Sequence, residues 1–143
     1  MAKAETQQLL AVNRDKLYQT ITRYEDYPKF IDGCKGAEVE RKGAGHARVK
    51  YHISVMGKDI IYLLDHREDP ENGVVEWSLI ESDFFKVNSG RWKIKPSGEV
   101  KTDIIYEVDI EFKIYVPGII LNKIVKGSFP ALIKSFENQA QKA

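Results

Sequence analysis

The chain has 143 residues, with 22 lysines and arginines against 21 aspartates and glutamates, and a formal net charge of +1. This length is typical of one domain with a core of its own, so we expect a single domain over residues 1–143. The balanced charge argues against a generally basic surface, and we expect no DNA binding. The one cysteine, Cys34, excludes an internal disulfide and a cysteine-based metal site.

The first eight residues are mostly polar and contain no apolar signal-peptide region, and no later stretch approaches the roughly 18 consecutive apolar residues of a membrane span. We therefore expect a soluble cytoplasmic protein. His46 and His52 lie six residues apart on one predicted strand, about 20 Å along an extended chain, which is too far to hold one metal ion. We expect no metal site and assign no cofactor.

The N-terminal third predicts an edge strand followed by two short helices. Residues 9–12 form a short apolar run, and Asn13 is a suitable N-cap for a helix to about residue 23. Leu17 and Ile21 share one face of that helix. Residues 24–31 predict a second short helix, since Pro28 is tolerated in a first helical turn.

Alternating residues then predict antiparallel strands over residues 46–56, 60–67, 74–80, 90–94 and 101–116, with turns at 56–59 and 69–73. In the last strand every even-numbered residue from Ile104 to Val116 is apolar, which is typical of a long strand with one buried face. The odd positions include Glu107, Asp109 and Glu111, which we expect on the solvated face, paired with Lys93 and Lys95.

After Pro117-Gly118 the apolar residues fall at helical intervals of three and four as far as Phe136. Pro130 cannot donate to the helical hydrogen bonds, which predicts a kink near Gly127. An apolar strand face followed by an apolar helix stripe indicates an α+β fold, with an antiparallel sheet wrapped against a C-terminal helix.

Several segments together resemble a known family. They are residues 27–36 (Tyr-Pro-Lys-Phe-Ile-Asp-Gly-Cys-Lys-Gly), 85–87 (Phe-Lys-Val), 90–96 (Gly-Arg-Trp-Lys-Ile-Lys-Pro) and 108–112 (Val-Asp-Ile-Glu-Phe) before the last helix. In this order, over about residues 9–140, the chain is similar to the coenzyme-Q-binding and ribosome-association-toxin family. That family is a branch of the START-like (helix-grip) superfamily, which also contains polyketide cyclases. One departure is Asp83-Phe84, where the family usually has Gly-Pro before the residue matching Phe85.

The resemblance implies a single START-like domain in which a curved antiparallel sheet wraps around a long C-terminal helix, with two short helices after the first strand. It also implies a deep apolar cavity between sheet and helix for polyprenyl quinones, lipids or polyketide-like molecules. The alternative is that the same residues pack together as an ordinary core. The candidate lining residues are Tyr51, Ile53, Trp77, Trp92, Tyr106, Val108, Ile110 and Phe112 from strands, with Leu121, Val125, Phe129 and Phe136 from the helix.

Two functional hypotheses use this cavity. The leading one is a non-catalytic binder or carrier of a hydrophobic molecule. The second is a cyclase or dehydratase acting on a polyketide-like chain, in which Tyr51, Tyr106, His66 and Asp65 are the candidate groups that steer or protonate the substrate. The second hypothesis requires that at least two of these polar groups converge in the cavity.

Two hypotheses concern the surface. A ribosome-associated interaction module would need a local basic surface, for which Lys29, Lys35, Lys123, Lys126 and Lys134 are the candidates. Transient membrane contact through the C-terminal helix would use its apolar residues Leu121, Ile124 and Val125 with neighbouring lysines. An ordinary packed helix with solvated lysines is the alternative to that contact.

Overall fold

The computed structural model describes residues 2–55 and 57–142, except for the side chains of Ala2 and Val125. Within these residues seven antiparallel strands form one sheet in the order β1-β7-β6-β5-β4-β3-β2. The strands are β1 (Ala2–Leu10), β2 (Cys34–Gly43), β3 (His46–Val55), β4 (Lys58–Asp69), β5 (Val74–Ser82), β6 (Phe85–Pro96) and β7 (Thr102–Phe112).

The helices lie at two places in the chain. Between β1 and β2 are α1 (Arg14–Thr22), a 3₁₀ turn (Tyr24–Asp26) and α2 (Tyr27–Phe30). After β7 come α3 (Gly118–Lys123), a π-helical segment (Ile124–Ser128) and α4 (Phe129–Gln141). Among the described helices, none is long and apolar enough to cross a membrane.

The predicted N-cap of α1 is confirmed. The side-chain oxygen of Asn13 accepts hydrogen bonds from the backbone N–H groups of Asp15 and Lys16, at 2.9 and 3.2 Å. These bonds satisfy two of the amide donors that a helix start leaves free. Leu17 and Ile21 are buried, as the apolar face of the predicted helix requires.

The sheet is curved because several strands carry irregularities. The register shifts between Cys34 and Gly36 in β2, between Leu63 and Leu64 in β4, and at the start of β6. Bulges of this kind bend a strand and increase its twist. The predicted α+β arrangement, a curved antiparallel sheet wrapped around the C-terminal helix, is thereby confirmed.

The sheet holds α4 through a stripe of buried side chains. Phe129, Ile133, Phe136 and Ala140 are buried at spacings of four, three and four residues, so they share one helix face. The ring of Phe136 lies 5.1 Å from that of Trp92, in an edge-to-face arrangement. These contacts fix α4 over the concave side of the sheet.

The terminal helix changes its hydrogen-bond pattern just before Pro130, which lacks a backbone N–H. The N–H of Phe129 donates to the carbonyl of Ile124, five residues back, so the helix widens into a π-helical turn around Gly127. A π-helical turn therefore lies at the position of the predicted kink near Gly127. On its N-terminal side, α3 has no buried residue, and Ile119 is 75% exposed.

The last strand is shorter than predicted, since β7 ends at Phe112 and not at Val116. Phe85, the first residue of β6, lies opposite Phe112, and one further backbone bond follows, from the N–H of Lys113 to the carbonyl of Phe84 at 2.9 Å. Ile114 continues the apolar alternation in sequence but is largely exposed. The pattern of side chains thus extends past the point where backbone pairing ends.

The predicted pairing of the acidic residues of β7 with Lys93 and Lys95 is wrong. The antiparallel register places Arg91 opposite Glu107, and their side chains form an ion pair at 2.8 Å. Lys93 lies opposite the apolar Ile105. The periodicity of a single strand identifies the face of each residue, but the partner depends on the register of two strands.

Candidate functional site

A partly open cavity of about 290 Å³ lies between the concave side of the sheet and the α4 helix. Its volume is at the lower end of the roughly 300–1,000 Å³ typical of small-molecule sites. Among the described residues that line it, none is a lysine, arginine, aspartate or glutamate. The core is therefore hollow, and its wall is mostly aliphatic and aromatic.

The structure places ten of the twelve predicted lining residues on the cavity wall. Leu121 is not among the lining residues, because α3 lies at the surface. The side chain of Val125 is outside the described part of the chain. Whether the ten bind a ligand stays a prediction; they are Tyr51, Ile53, Trp77, Trp92, Tyr106, Val108, Ile110, Phe112, Phe129 and Phe136.

The wall carries more polar groups than the sequence candidates Tyr51, Tyr106 and His66. Tyr27, Tyr62 and Asn88 also line the cavity. The signal for Tyr62 was available, because even-numbered residues of β4 share one face and His66 belongs to the same set. Tyr62 also lies directly opposite Tyr51 in the β3–β4 hairpin, so the two rings stack with centroids 5.3 Å apart.

Tyr51 and His66 form a buried polar pair at the cavity wall. The Tyr51 hydroxyl and the His66 Nε2 atom are 2.9 Å apart, within hydrogen-bonding distance. The ring of Tyr24 stacks on His66 at 4.2 Å, and its own hydroxyl donates to Glu68. Aromatic packing thus fixes the imidazole next to the cavity.

Burial determines the protonation of this pair. Loss of solvent lowers the pKa of His66 to about 3, so the imidazole is neutral near pH 7. Burial also raises the pKa of the Tyr51 hydroxyl well above its usual value of 10, and it raises that of Tyr106. At neutral pH the wall therefore presents uncharged hydrogen-bonding groups, and His66 is a weak base.

Asp65 lies on the opposite face of β4 from His66, away from the cavity. Its carboxylate contacts His46 Nε2 at 2.6 Å and Arg67 Nε at 3.0 Å. The inclusion of Asp65 among residues that act in the cavity is therefore wrong, since neighbouring residues of a strand point to opposite faces. Three of the four polar candidates, Tyr51, Tyr106 and His66, do converge on the cavity.

Trp77 forms part of the wall where β5 and β6 separate. Pairing between these strands is observed only from Val74 to Trp77, opposite Lys93 to Gly90. The Trp77 indole N–H donates to Asn88 Oδ1 at 3.1 Å, and the ring lies against Gly90. A Cβ atom at Gly90 would clash with the backbone carbonyl of Glu107 and lie 2.5 Å from the Trp77 ring, so this position requires glycine for close approach.

One side of the cavity approaches solvent. Its partly exposed lining residues include Ile31, Cys34, Val55 and Ile124, and Ser128 is exposed. They come from the chain after α2, the end of β3 and the π-helical segment. The cavity is therefore closest to the surface where the terminal helix departs from regular α-helical bonding.

Comparison with known proteins places these features in context. The chain is 21% identical over 126 residues to the Ribosome association toxin RatA of Escherichia coli K12, covering 88% of this chain and 73% of that protein. A START superfamily protein from Mycobacterium smegmatis superposes with a TM-score of 0.86 at 18% identity, covering 99% of both chains. The Zhui aromatase/cyclase from Streptomyces sp. R1128 superposes with a TM-score of 0.82 at 16% identity, covering 98% of this chain and 93% of that one.

The two structural comparisons establish a shared fold, including the sheet that encloses the terminal helix. A family model described as polyketide cyclase / dehydrase and lipid transport matches residues 10–137, which include every strand from β2 to β7 and most of α4. The chain therefore belongs to the polyketide cyclase / dehydrase and lipid transport family.

Proposed function

We propose that this protein binds or carries a hydrophobic small molecule in the cavity between its sheet and its C-terminal helix. The observation that carries the proposal is the cavity of about 290 Å³. Its described wall has no lysine, arginine, aspartate or glutamate, and His66 is neutral near pH 7. Apolar surface transferred into such a space gains roughly 25 cal/mol per Å². The family and the fold support a domain that binds hydrophobic molecules.

The cavity volume limits what fits inside. At about 290 Å³ it accommodates a ring system or a short chain. A polyprenyl quinone, a lipid or a polyketide-like molecule fits the chemistry of the wall. A long isoprenoid or acyl chain would have to continue through the partly exposed side near Ile124. Contact of that side with a membrane stays a prediction.

A cyclase or dehydratase is the second candidate. The convergence of Tyr51, Tyr106 and His66 favours it, as does the shared fold with an aromatase/cyclase. General acid–base catalysis works best with groups whose pKa lies near the operating pH. His66 has a pKa of about 3 and the tyrosines have raised pKa values, so the polar groups are better suited to hydrogen bonding than to proton transfer.

Ribosome association is a third candidate, supported by the similarity to RatA. The basic surface predicted for it is weaker than the sequence suggested. Lys29, Lys35 and Lys134 form ion pairs with Asp26, Asp59 and Glu137, at 3.1, 3.3 and 2.9 Å. Paired lysines contribute less to the attraction of phosphates than free ones do.

The proposal can be tested by extracting the purified protein with organic solvent and identifying bound molecules by mass spectrometry. Val108→Phe places a larger side chain in the cavity, whereas Ile105→Phe changes the opposite face of the same strand and is the matched control. We expect a hydrophobic molecule to be recovered from the wild type and the Ile105→Phe variant, and to be reduced in the Val108→Phe variant.

Two outcomes would contradict the proposal. One is recovery of no small molecule from the wild type together with no uptake of added hydrophobic probes. The other is equal recovery from the folded Val108→Phe and Ile105→Phe variants, since that would place the bound molecule outside the cavity.

A further inference from the structure

Tyr51 and His66 form a buried hydrogen-bonded pair on the wall of a mostly apolar cavity. His66 is 4% exposed, and its Nδ1 atom has no hydrogen-bond partner among the described residues. Its Nε2 atom bonds to the Tyr51 hydroxyl. A neutral imidazole carries one N–H, so either Nδ1 or Nε2 holds the hydrogen.

The two tautomers differ in what they leave unpaired. With the hydrogen on Nδ1, an N–H group is buried without an acceptor, which is rare in proteins. With the hydrogen on Nε2, that N–H donates to the Tyr51 oxygen, and the unpaired Nδ1 is only a free lone pair. The second arrangement leaves the Tyr51 O–H hydrogen free at the cavity wall.

Ring packing fixes the position of the Tyr51 hydroxyl oxygen. The Tyr51 ring stacks on Tyr62 with centroids 5.3 Å apart and on Tyr27 with centroids 6.0 Å apart. All three tyrosines line the cavity. A donor held in place before binding loses little conformational entropy when it meets an acceptor.

We propose that the cavity selects uncharged ligands that carry a carbonyl-type acceptor oxygen, and that the Tyr51 hydroxyl donates to this oxygen while His66 Nε2–H donates to Tyr51. The inference rests on the proposed function and specifies its ligand class. The absence of charged residues from the described wall supports the selection against ions, since an unpaired ion is costly to bury. A ketone or a quinone carbonyl has the required chemistry.

Three probes of similar shape test the inference: 2-acetylnaphthalene, the hydrocarbon 2-isopropylnaphthalene and the anion 2-naphthoate. Their dissociation constants are measured by isothermal titration calorimetry at pH 7 with wild type, Tyr51→Phe and Tyr106→Phe. Tyr106→Phe is the matched control, because it removes another hydroxyl from the same wall. A monoketone is preferable to a quinone probe, which can react with the thiol of Cys34.

We expect the affinity for the ketone, relative to the hydrocarbon, to fall about 3- to 10-fold in Tyr51→Phe, which is the loss of one hydrogen bond. The same ratio should be unchanged in Tyr106→Phe, and 2-naphthoate should bind about 100-fold more weakly than the ketone. An unchanged ratio in Tyr51→Phe, a loss confined to Tyr106→Phe, or naphthoate binding as tight as that of the ketone would overturn the inference.

The tautomer provides a second test on the unmodified protein. The ¹⁵N chemical shifts of His66 should identify Nε2 as the protonated nitrogen near pH 7, and protonation of Nδ1 would overturn the inference. If the ketone and the hydrocarbon bind to the wild type equally well, the inference is refuted but the proposed function is not. If neither neutral probe binds to wild type, both the proposed function and the inference fail.

Discussion

The burial of a neutral histidine predicts that mild acid destabilises this protein. His66 is 4% exposed, and burial lowers its pKa from the usual 6.5 to about 3. The unfolded chain therefore takes up a proton at this side chain at a pH where the folded protein does not. The stability that this difference provides is fully present above pH 6.5 and is lost as the pH falls toward 3.

The size of the effect follows from the two pKa values. Each pKa unit corresponds to about 1.4 kcal/mol, so protonation of the unfolded state at pH 5 lowers the free energy of unfolding by about 2 kcal/mol relative to pH 7. The value depends little on the pKa of folded His66, since pH 5 lies well above it. A loss of about 2 kcal/mol is a large part of the 5–15 kcal/mol typical of a domain.

Urea denaturation at pH 7 and pH 5 measures this loss. His66→Phe removes the titrating group and keeps a ring next to Tyr24. The control is His52→Gln, because the side chain of His52 is 42% exposed. Between pH 7 and pH 5, we expect the free energy of unfolding of the wild type and of the control to fall by about 2 kcal/mol more than that of His66→Phe. Equal losses in all three proteins would refute the reasoning.

Two further predictions concern packing and a partly buried hydrogen bond. Gly90→Ala should lower the free energy of unfolding by about 1–3 kcal/mol, because its Cβ would clash with the backbone carbonyl of Glu107 and lie 2.5 Å from the Trp77 ring. Gly118→Ala, whose Cβ would meet nothing within 4 Å, is the control, and equal stability of the two variants in urea would contradict this. Glu137→Ala should cost about 1–3 kcal/mol, since the Ala11 N–H loses its acceptor at 2.8 Å. Faster amide exchange at Ala11 would accompany that loss, and unchanged exchange would argue against it.

Local patterns in the sequence were sufficient to predict most of the helices and strands. Asn13 marked the start of α1, and the alternation from Ile104 to Ile110 identified the buried face of β7. The end of β7 could not be predicted in this way. Strand bounds depend on whether a neighbouring strand still offers backbone partners, and β6 starts opposite Phe112.

The candidate site was also predictable to a limited degree. Alternation along β4 separates Asp65 from His66, so the sequence alone could have excluded Asp65 from the cavity. It could not show that His66 meets Tyr51, because that contact requires the pairing of β3 with β4 and the stacking of Tyr24. Such contacts join residues 15 and 42 positions apart.

The sequence by itself determined the α+β class, most of the elements and their apolar faces, because propensity and periodicity act over a few neighbouring residues. It predicted no strand for the β2 residues, Cys34–Gly43. Only the tertiary structure decided that these faces leave an open space of about 290 Å³. The volume of a cavity is the difference between the space that the curved sheet encloses and the space that its side chains fill. Both quantities depend on strand register, bulges and the distance of α4 from the sheet.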